Sequence, residues 1–236
     1  IDVQMSDELG EGTIAGALWG GLNANFKNAQ KINTWYVVAM AEKMAGEELN
    51  DPDDPDIVMF YNGNQSFYTG LDGQPPAGTF DMVTVSLHEI AHGLGFWSQT
   101  FVNEAGLGEF GYQVNGIPTV YGRALENTEL ENLFDVYGDS SPSVSLGDEL
   151  TGNELYFRSE SFLGGSLPRL FAPAEFNSGS SIAHLNEDSY PPSDPNSLMT
   201  PEVDLAEAIH DPGIALIMLQ DMGWVNVDIE HDALLD

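Results

Sequence analysis

The stretch FDMVTVSLHEIAHGLGF, residues 80–96, decides how the rest of the chain is read. Asp81 suits an N-cap, and Val85, Ile90 and Ala91 recur at or near helical spacing, which predicts a helix opening at residue 81. Gly93 directly follows His92 and is where this helix is expected to stop in a left-handed cap. Gly95 then lets the chain turn sharply. His88 and His92 stand at i and i+4 on one helix face, so both imidazoles reach one ion at about 2.0–2.1 Å. Glu89, next to the first of them, projects beside such an ion rather than onto it, where it takes a proton from water. The chain holds only 5 His in 236 residues. An HExxH pattern then arises by chance in roughly one chain in a hundred, so a helix merely displaying two surface histidines is the weaker explanation.

Outward from this helix, the preceding segments predict a sheet and a second helix. Residues 1–20 read as a short strand followed by a Gly-rich turn region marked by Gly10, Gly12, Gly16, Gly20 and the adjoining Gly21. Residues 34–46 read as a buried helix with Trp35, Val38, Ala39, Ala41 and Ala45 on or near one face, ending at Gly46. DIVMFYN, 56–62, has the length and apolar content of a strand, and 63–80 reads as loop with a hairpin. Residues 99–181 mix short strands, LYFR at 155–158 among them, with Gly, Ser and Asn loops. In HDPGIALIMLQDMGW, 210–224, Asp211 is the expected N-cap, Pro212 the first helical residue and Gly223 the end. The expected architecture is α+β. An N-terminal subdomain, 1–98, has a mixed sheet and the HExxH helix. A largely irregular C-terminal subdomain, 99–236, ends in a helix, and the two share a cleft.

Composition removes several functions. Asp and Glu number 38 against 6 Lys and Arg, a formal charge of -32, so the chain lacks the basic surface that nucleic acid or an anionic membrane requires. No run of 18 apolar residues occurs, which predicts no membrane span. With no cysteine, disulfides, thiolate metal sites and cysteine nucleophiles are ruled out. The start at Ile1-Asp2-Val3 lacks the basic and apolar segments of a signal peptide, and is read as that of a mature or trimmed product. The acidity fits a salt-adapted, a calcium-binding or an ordinary acidic secreted protein. Asp51, Asp53, Asp54 and Asp56 form the candidate Ca2+ cluster, although a solvated acidic turn explains them equally well. Asp72 and Asp194 read as turn chemistry. Arg123, Arg158 and Arg169, scarce cations here, are expected to anchor carboxylates.

Two helical histidines leave a catalytic zinc site incomplete, because it takes three protein ligands and an open position for water. Position 98, where a compact HExxHxxGxxH motif has its third His, is Ser98. His184, His210 and His231 remain, and Glu104 and Glu109 are carboxylate alternatives. His184 leads, because SSIAHLNEDSYPPSDPNSLMTP, 180–201, also places Met199 within Ser197-Leu198-Met199-Thr200-Pro201. A thioether in a tight turn offers imidazole ligands a soft apolar floor. His210 is expected to support a helix start, and His231 to lie exposed in the acidic tail.

HEIAHGLGF, the distant His184 and the SLMTP turn together resemble the leishmanolysin-like branch of the metzincin zinc metallopeptidases, its secreted bacterial members in particular. That branch carries a long insertion before the third His, and here His92 and His184 are 92 positions apart. The resemblance covers 56–96 and 168–224. It implies Zn2+ on His88, His92 and His184, Glu89 as general base, Met199 as the Met-turn residue, and hydrolysis of protein or peptide substrates by a secreted monomer. Leishmanolysin itself is rich in cysteine, and this chain has none. Val203 and Leu205 are implied to line the pocket beyond the scissile bond, and Tyr190 is the one tyrosine placed to assist, although a structural role suits it better. Two rivals stand beside this reading: a metallopeptidase whose third ligand is Glu104 or Glu109, and a non-catalytic calcium-dependent adhesion module.

Overall fold

The computed structural model describes residues 1–10, 12–111, 116–162 and 166–224. Its N-terminal part is built on the strand Ile57–Asn62, in which Ile57, Met59, Tyr61 and Asn62 are buried and Val58 and Phe60 partly so. Strand β1 (Asp2–Ser6) pairs with it in parallel, Asp2 opposite Val58 and Ser6 opposite Asn62. Strand β2 (Ala15–Trp19) pairs on the other side, antiparallel, Ala15 opposite Tyr61 and Trp19 opposite Ile57. The sheet order β1, Ile57–Asn62, β2 leaves β2 at an edge. The expected Gly-rich turn region therefore contains a strand. Ala15, Gly16 and Ala17 are too small to give a hydrophobic alternation, and β2 is only half-buried.

Helix α1 (Val38–Ala45) buries Val38, Met40, Ala41 and Ala45 and ends on Gly46 in the left-handed conformation, φ 72°. It begins later than the expected 34–46 because Tyr36–Val37 pairs with Leu22–Asn23. Helix α2 (Met82–Gly93) carries the HExxH motif. Its N-cap is Asp81, whose carboxylate accepts the Thr84 N–H at 2.8 Å, a cap stabilising by about 1 kcal/mol. The helix stops at Gly93 as expected, but not in a left-handed cap: Leu94 stays right-handed and the reversal falls at Gly95, φ 111°. Gly93 has another purpose, since a Cβ there would lie 2.5 Å from Ile57 Cγ2. Only glycine lets the helix approach the sheet this closely. The indole of Trp224 fixes the helix end by donating to Leu94 O at 2.8 Å.

The expected hairpin in 63–80 is absent. Phe67–Tyr68 instead pairs in parallel with Phe80–Asp81, which two adjacent strands joined by a tight turn cannot do. In the C-terminal part, Leu155–Phe157 is the middle strand of an antiparallel trio with Leu125–Glu126 and Arg169–Leu170. Helix α3 (Leu133–Tyr137) packs beside it, and helix α4 (Val144–Leu150) packs against the strand pair 101–102 and 108–109; the Asn132 and Ser143 side chains cap the two helices. Helix α5 (Ile214–Met222) starts later than expected. Asp211 accepts the Gly213 N–H at 2.9 Å in the preceding turn, Gly213 is the N-cap residue at φ 51°, and Gly223 ends the helix as expected. One buried cluster runs from Tyr36 through Phe96, Tyr121, Leu155 and Met199 to Met222, so the two halves share a core.

The scarce cations follow the expectation in two cases of three. Arg158 pairs with the buried Glu126 at 3.2 Å and Arg169 with Glu154 at 3.0 Å. Arg123 instead donates to Asn33 O at 2.9 Å and lies over the Phe134 ring at 4.3 Å. No helix among the described residues is long and apolar enough to cross a membrane.

Candidate metal centre

Along α2, His88 and His92 project from one face, with Glu89 buried next to them. His184 arrives from the segment that follows Arg169–Leu170, where Leu170 and Leu185 form a bridge. The three Nε2 atoms converge: His88 to His92 is 3.0 Å, His92 to His184 is 3.2 Å and His88 to His184 is 3.3 Å. Every Nδ1 faces a backbone carbonyl, His88 that of Leu198 at 2.7 Å, His92 that of Phe96 at 2.7 Å and His184 that of Ser180 at 2.9 Å. A carbonyl only accepts, so each Nδ1 carries the proton and each Nε2 presents a lone pair to the other two.

Three nitrogen lone pairs at this separation repel one another unless a cation lies among them. With bonds of about 2.0–2.1 Å and tetrahedral angles, three nitrogens around one metal stand about 3.3–3.4 Å apart. The spacing and donor chemistry therefore fit, and His88, His92 and His184 could hold a metal ion. Glu104 and Glu109 are not part of this group, nor is any other acid among the described residues.

Burial sets the proton affinities of the site. It lowers His88 against the pull of the Leu198 carbonyl. It lowers His92 well below the ordinary imidazole value, with His88 and His184 adding to the effect. It takes His184 to about 3, with a further contribution from His88. Neutral imidazoles are the form that binds metal. Burial also raises Glu89 to about 8, and a nearby dication would draw it back down.

The imidazoles should consequently cost the metal-free protein stability in acid. The unfolded chain protonates these imidazoles near pH 6.5, and the folded chain does so only at lower pH. Their stabilising contribution is complete above about pH 6.5 and is lost as pH falls towards the value near 3 for His184. Glu89 acts in the opposite sense over the same range, because the folded chain protonates it before the unfolded chain does. The histidine contribution is therefore read as a difference: the urea midpoint of metal-free His184→Gln should fall less steeply than that of the wild type between about pH 7 and pH 5. Equal slopes in the two proteins would contradict this origin.

A cleft of about 690 Å³ opens over the histidines, bounded by β2 on one side and by residues near Leu198 and Val203 on the other. Val203 lines it as expected. Leu205 is not part of the lining and is half-exposed, and Tyr190 packs against the core instead. Met199 is fully buried in the turn Ser197–Met199, and the carbonyl before it, that of Leu198, orients His88. Four cleft aromatics, Trp19, Trp97, Phe101 and Phe176, stood out by no motif in the sequence. Trp19 and Trp97 are in contact, their ring centroids 3.5 Å apart and their planes inclined by 36°.

His210 supports a different helix from the one expected. Its Nε2 lies 2.8 Å from the fully buried Asp81 carboxylate, while Thr84 Oγ1 accepts the Ile209 N–H at 2.7 Å. Residues 209–210 are thereby stitched to the first turn of α2. Of the four candidate calcium ligands, only Asp56 joins other acids, and those are Glu42 and Glu48 rather than Asp51, Asp53 or Asp54. Asp51 instead accepts the Asp53 N–H at 3.1 Å, ordinary turn chemistry. His231 lies outside the described residues. No protein-family model, curated protein or solved structure matches the chain.

Proposed function

We propose that this chain is a zinc-dependent endopeptidase of the leishmanolysin-like metzincin type, acting on extended peptide segments outside the cell. The convergence of three Nε2 atoms within 3.3 Å of one another, in an open cleft and beside a buried carboxyl, carries this reading. Three neutral nitrogens with one open face are a catalytic donor set, whereas structural zinc sites are closed by four ligands.

Zn2+ on His88, His92 and His184 would supply Lewis acidity towards the scissile carbonyl and lower the pKa of water. Glu89 accepts the proton of the attacking water and delivers it to the leaving amine nitrogen. The carbonyls of Leu198, Phe96 and Ser180 keep the three rings in register throughout, so the site reorganises little. The outer edge of β2 offers unpaired backbone groups to an extended chain, which adds to the sheet as a further strand. Val85, Leu198, Val203 and Ile209 give the adjoining wall an apolar surface.

Purified protein is expected to hydrolyse a casein-type substrate, to lose that activity with a metal chelator and to recover it with Zn2+. Activity unaffected by chelation would exclude the proposal. An adhesion module would bind its partner with Ca2+ and cleave nothing.

A further inference from the structure

We propose that Tyr121 is the positioning residue for the third histidine: by holding the carbonyl of Ile182, its buried hydroxyl locks the left-handed turn that aims His184 at His88 and His92. The proposal rests on the three histidines forming a metal site and does not require that the protein cleave peptides.

Ile182 has φ 71° and is fully buried. A β-branched residue in this region is a true outlier, because its branched Cβ crowds the following carbonyl. Such a conformation persists only where its surroundings over-determine it, and it tends to occur at functional sites. Here the outlier stands two residues before a candidate metal ligand. The Ile182 N–H donates to Phe171 O at 2.7 Å, while the Phe171 N–H donates to His184 O at 2.8 Å. Phe171 thus faces both 182 and 184 across the pairing, with Ala183 between them. An interruption of this kind turns a side chain off its regular face, as bulges beside active sites do. The turn also places Ser180 O against His184 Nδ1, at 2.9 Å.

Tyr121 is what fixes the turn from outside. It is fully buried, and its hydroxyl donates to Ile182 O at 2.9 Å. The ring packs against Phe96 and Phe157, with centroids 5.2 and 5.1 Å away. Phe96 in turn supplies the carbonyl that orients His92. One rigid side chain therefore ties together the backbone that orients the second ligand and the backbone that orients the third. An outer partner of this kind changes metal affinity without touching the metal.

Tyr121→Phe removes the hydroxyl and keeps the ring. Its zinc affinity, read by competition with a chromophoric chelator, should weaken about tenfold. Bound Co2+ should show a weaker visible absorption, as expected of a loosened tetrahedral donor set. Adding Ile182→Gly, which makes the left-handed turn free of steric cost, should recover most of the lost affinity. Unchanged affinity and spectrum in Tyr121→Phe, or no recovery in the double variant, would overturn the proposal. Hydrogen exchange on the wild-type chain tests it independently of folding defects and of any metal. The Ile182 and Leu185 amides should already be protected without zinc and gain less than about twofold when it is added. Protection that appears only with zinc would mean that the metal builds the turn and Tyr121 does not. The exchange result stands even if the protein cleaves nothing, which separates this proposal from the peptidase reading.

Discussion

Glu89→Gln is expected to lower peptide hydrolysis about a thousandfold, within the range general acid–base groups contribute, while zinc content and the melting midpoint stay as in the wild type. The amide keeps the shape of the carboxyl but can neither accept nor return a proton. The fold should tolerate it, because burial already favours the uncharged form of this side chain, raising its pKa to about 8. Steady-state kinetics on one fluorogenic peptide, with zinc measured on the same sample, checks this. A variant that retains its zinc and at least a tenth of wild-type kcat would remove Glu89 from the chemistry.

His184→Ala should have an equally large effect through a different step. It removes one corner of a triangle whose sides are 3.0, 3.2 and 3.3 Å. Removing a ligand outright should weaken zinc binding by more than the roughly 100-fold upper range for an outer partner, and activity should be lost at ordinary zinc concentrations. The experiment also decides between third ligands. Glu104 is exposed and Glu109 lies on the short strand pair 101–102 and 108–109. If either carboxylate were the ligand, His184→Ala would keep both metal and activity, and a chelator competition titration of the variant distinguishes the two outcomes.

The parts of this site legible in the sequence are those set by local periodicity. His88, Glu89 and His92 could be placed together because four residues make about one helical turn, and Asp81 could be named as cap because its bond to Thr84 is local. His184 was reachable only through likeness to a motif, since 92 positions of chain carry no geometric information by themselves. The three carbonyls that orient the imidazoles belong to Leu198, Phe96 and Ser180. They left no trace, because every residue has a carbonyl. The same holds for Tyr121, whose importance comes from the φ of a residue 61 positions away.

The misread elements share one cause, tertiary context overriding a local signal. β2 looked like a turn because small residues serve an edge strand beside a helix as well as they serve a loop. Gly93 ends α2 but carries no left-handed cap; the residue must be glycine because α2 meets Ile57 there. Asp51 and Asp53 take the acidic-turn alternative the sequence leaves open, while Asp56, the remaining member of that set beside Asp54, gathers with Glu42 and Glu48. The sequence points His210 to the start of the helix that follows it, and its partner in space is Asp81 at the start of α2, 129 positions earlier.

A metal count on protein purified without added metal, joined to X-ray absorption at the zinc edge, tests the three-histidine zinc site itself. The expected result is one zinc per chain with three imidazole nitrogens at about 2.0–2.1 Å and one lighter oxygen ligand. A chain that takes up no zinc, or holds it through oxygen ligands alone, would show that His88, His92 and His184 are not a zinc site.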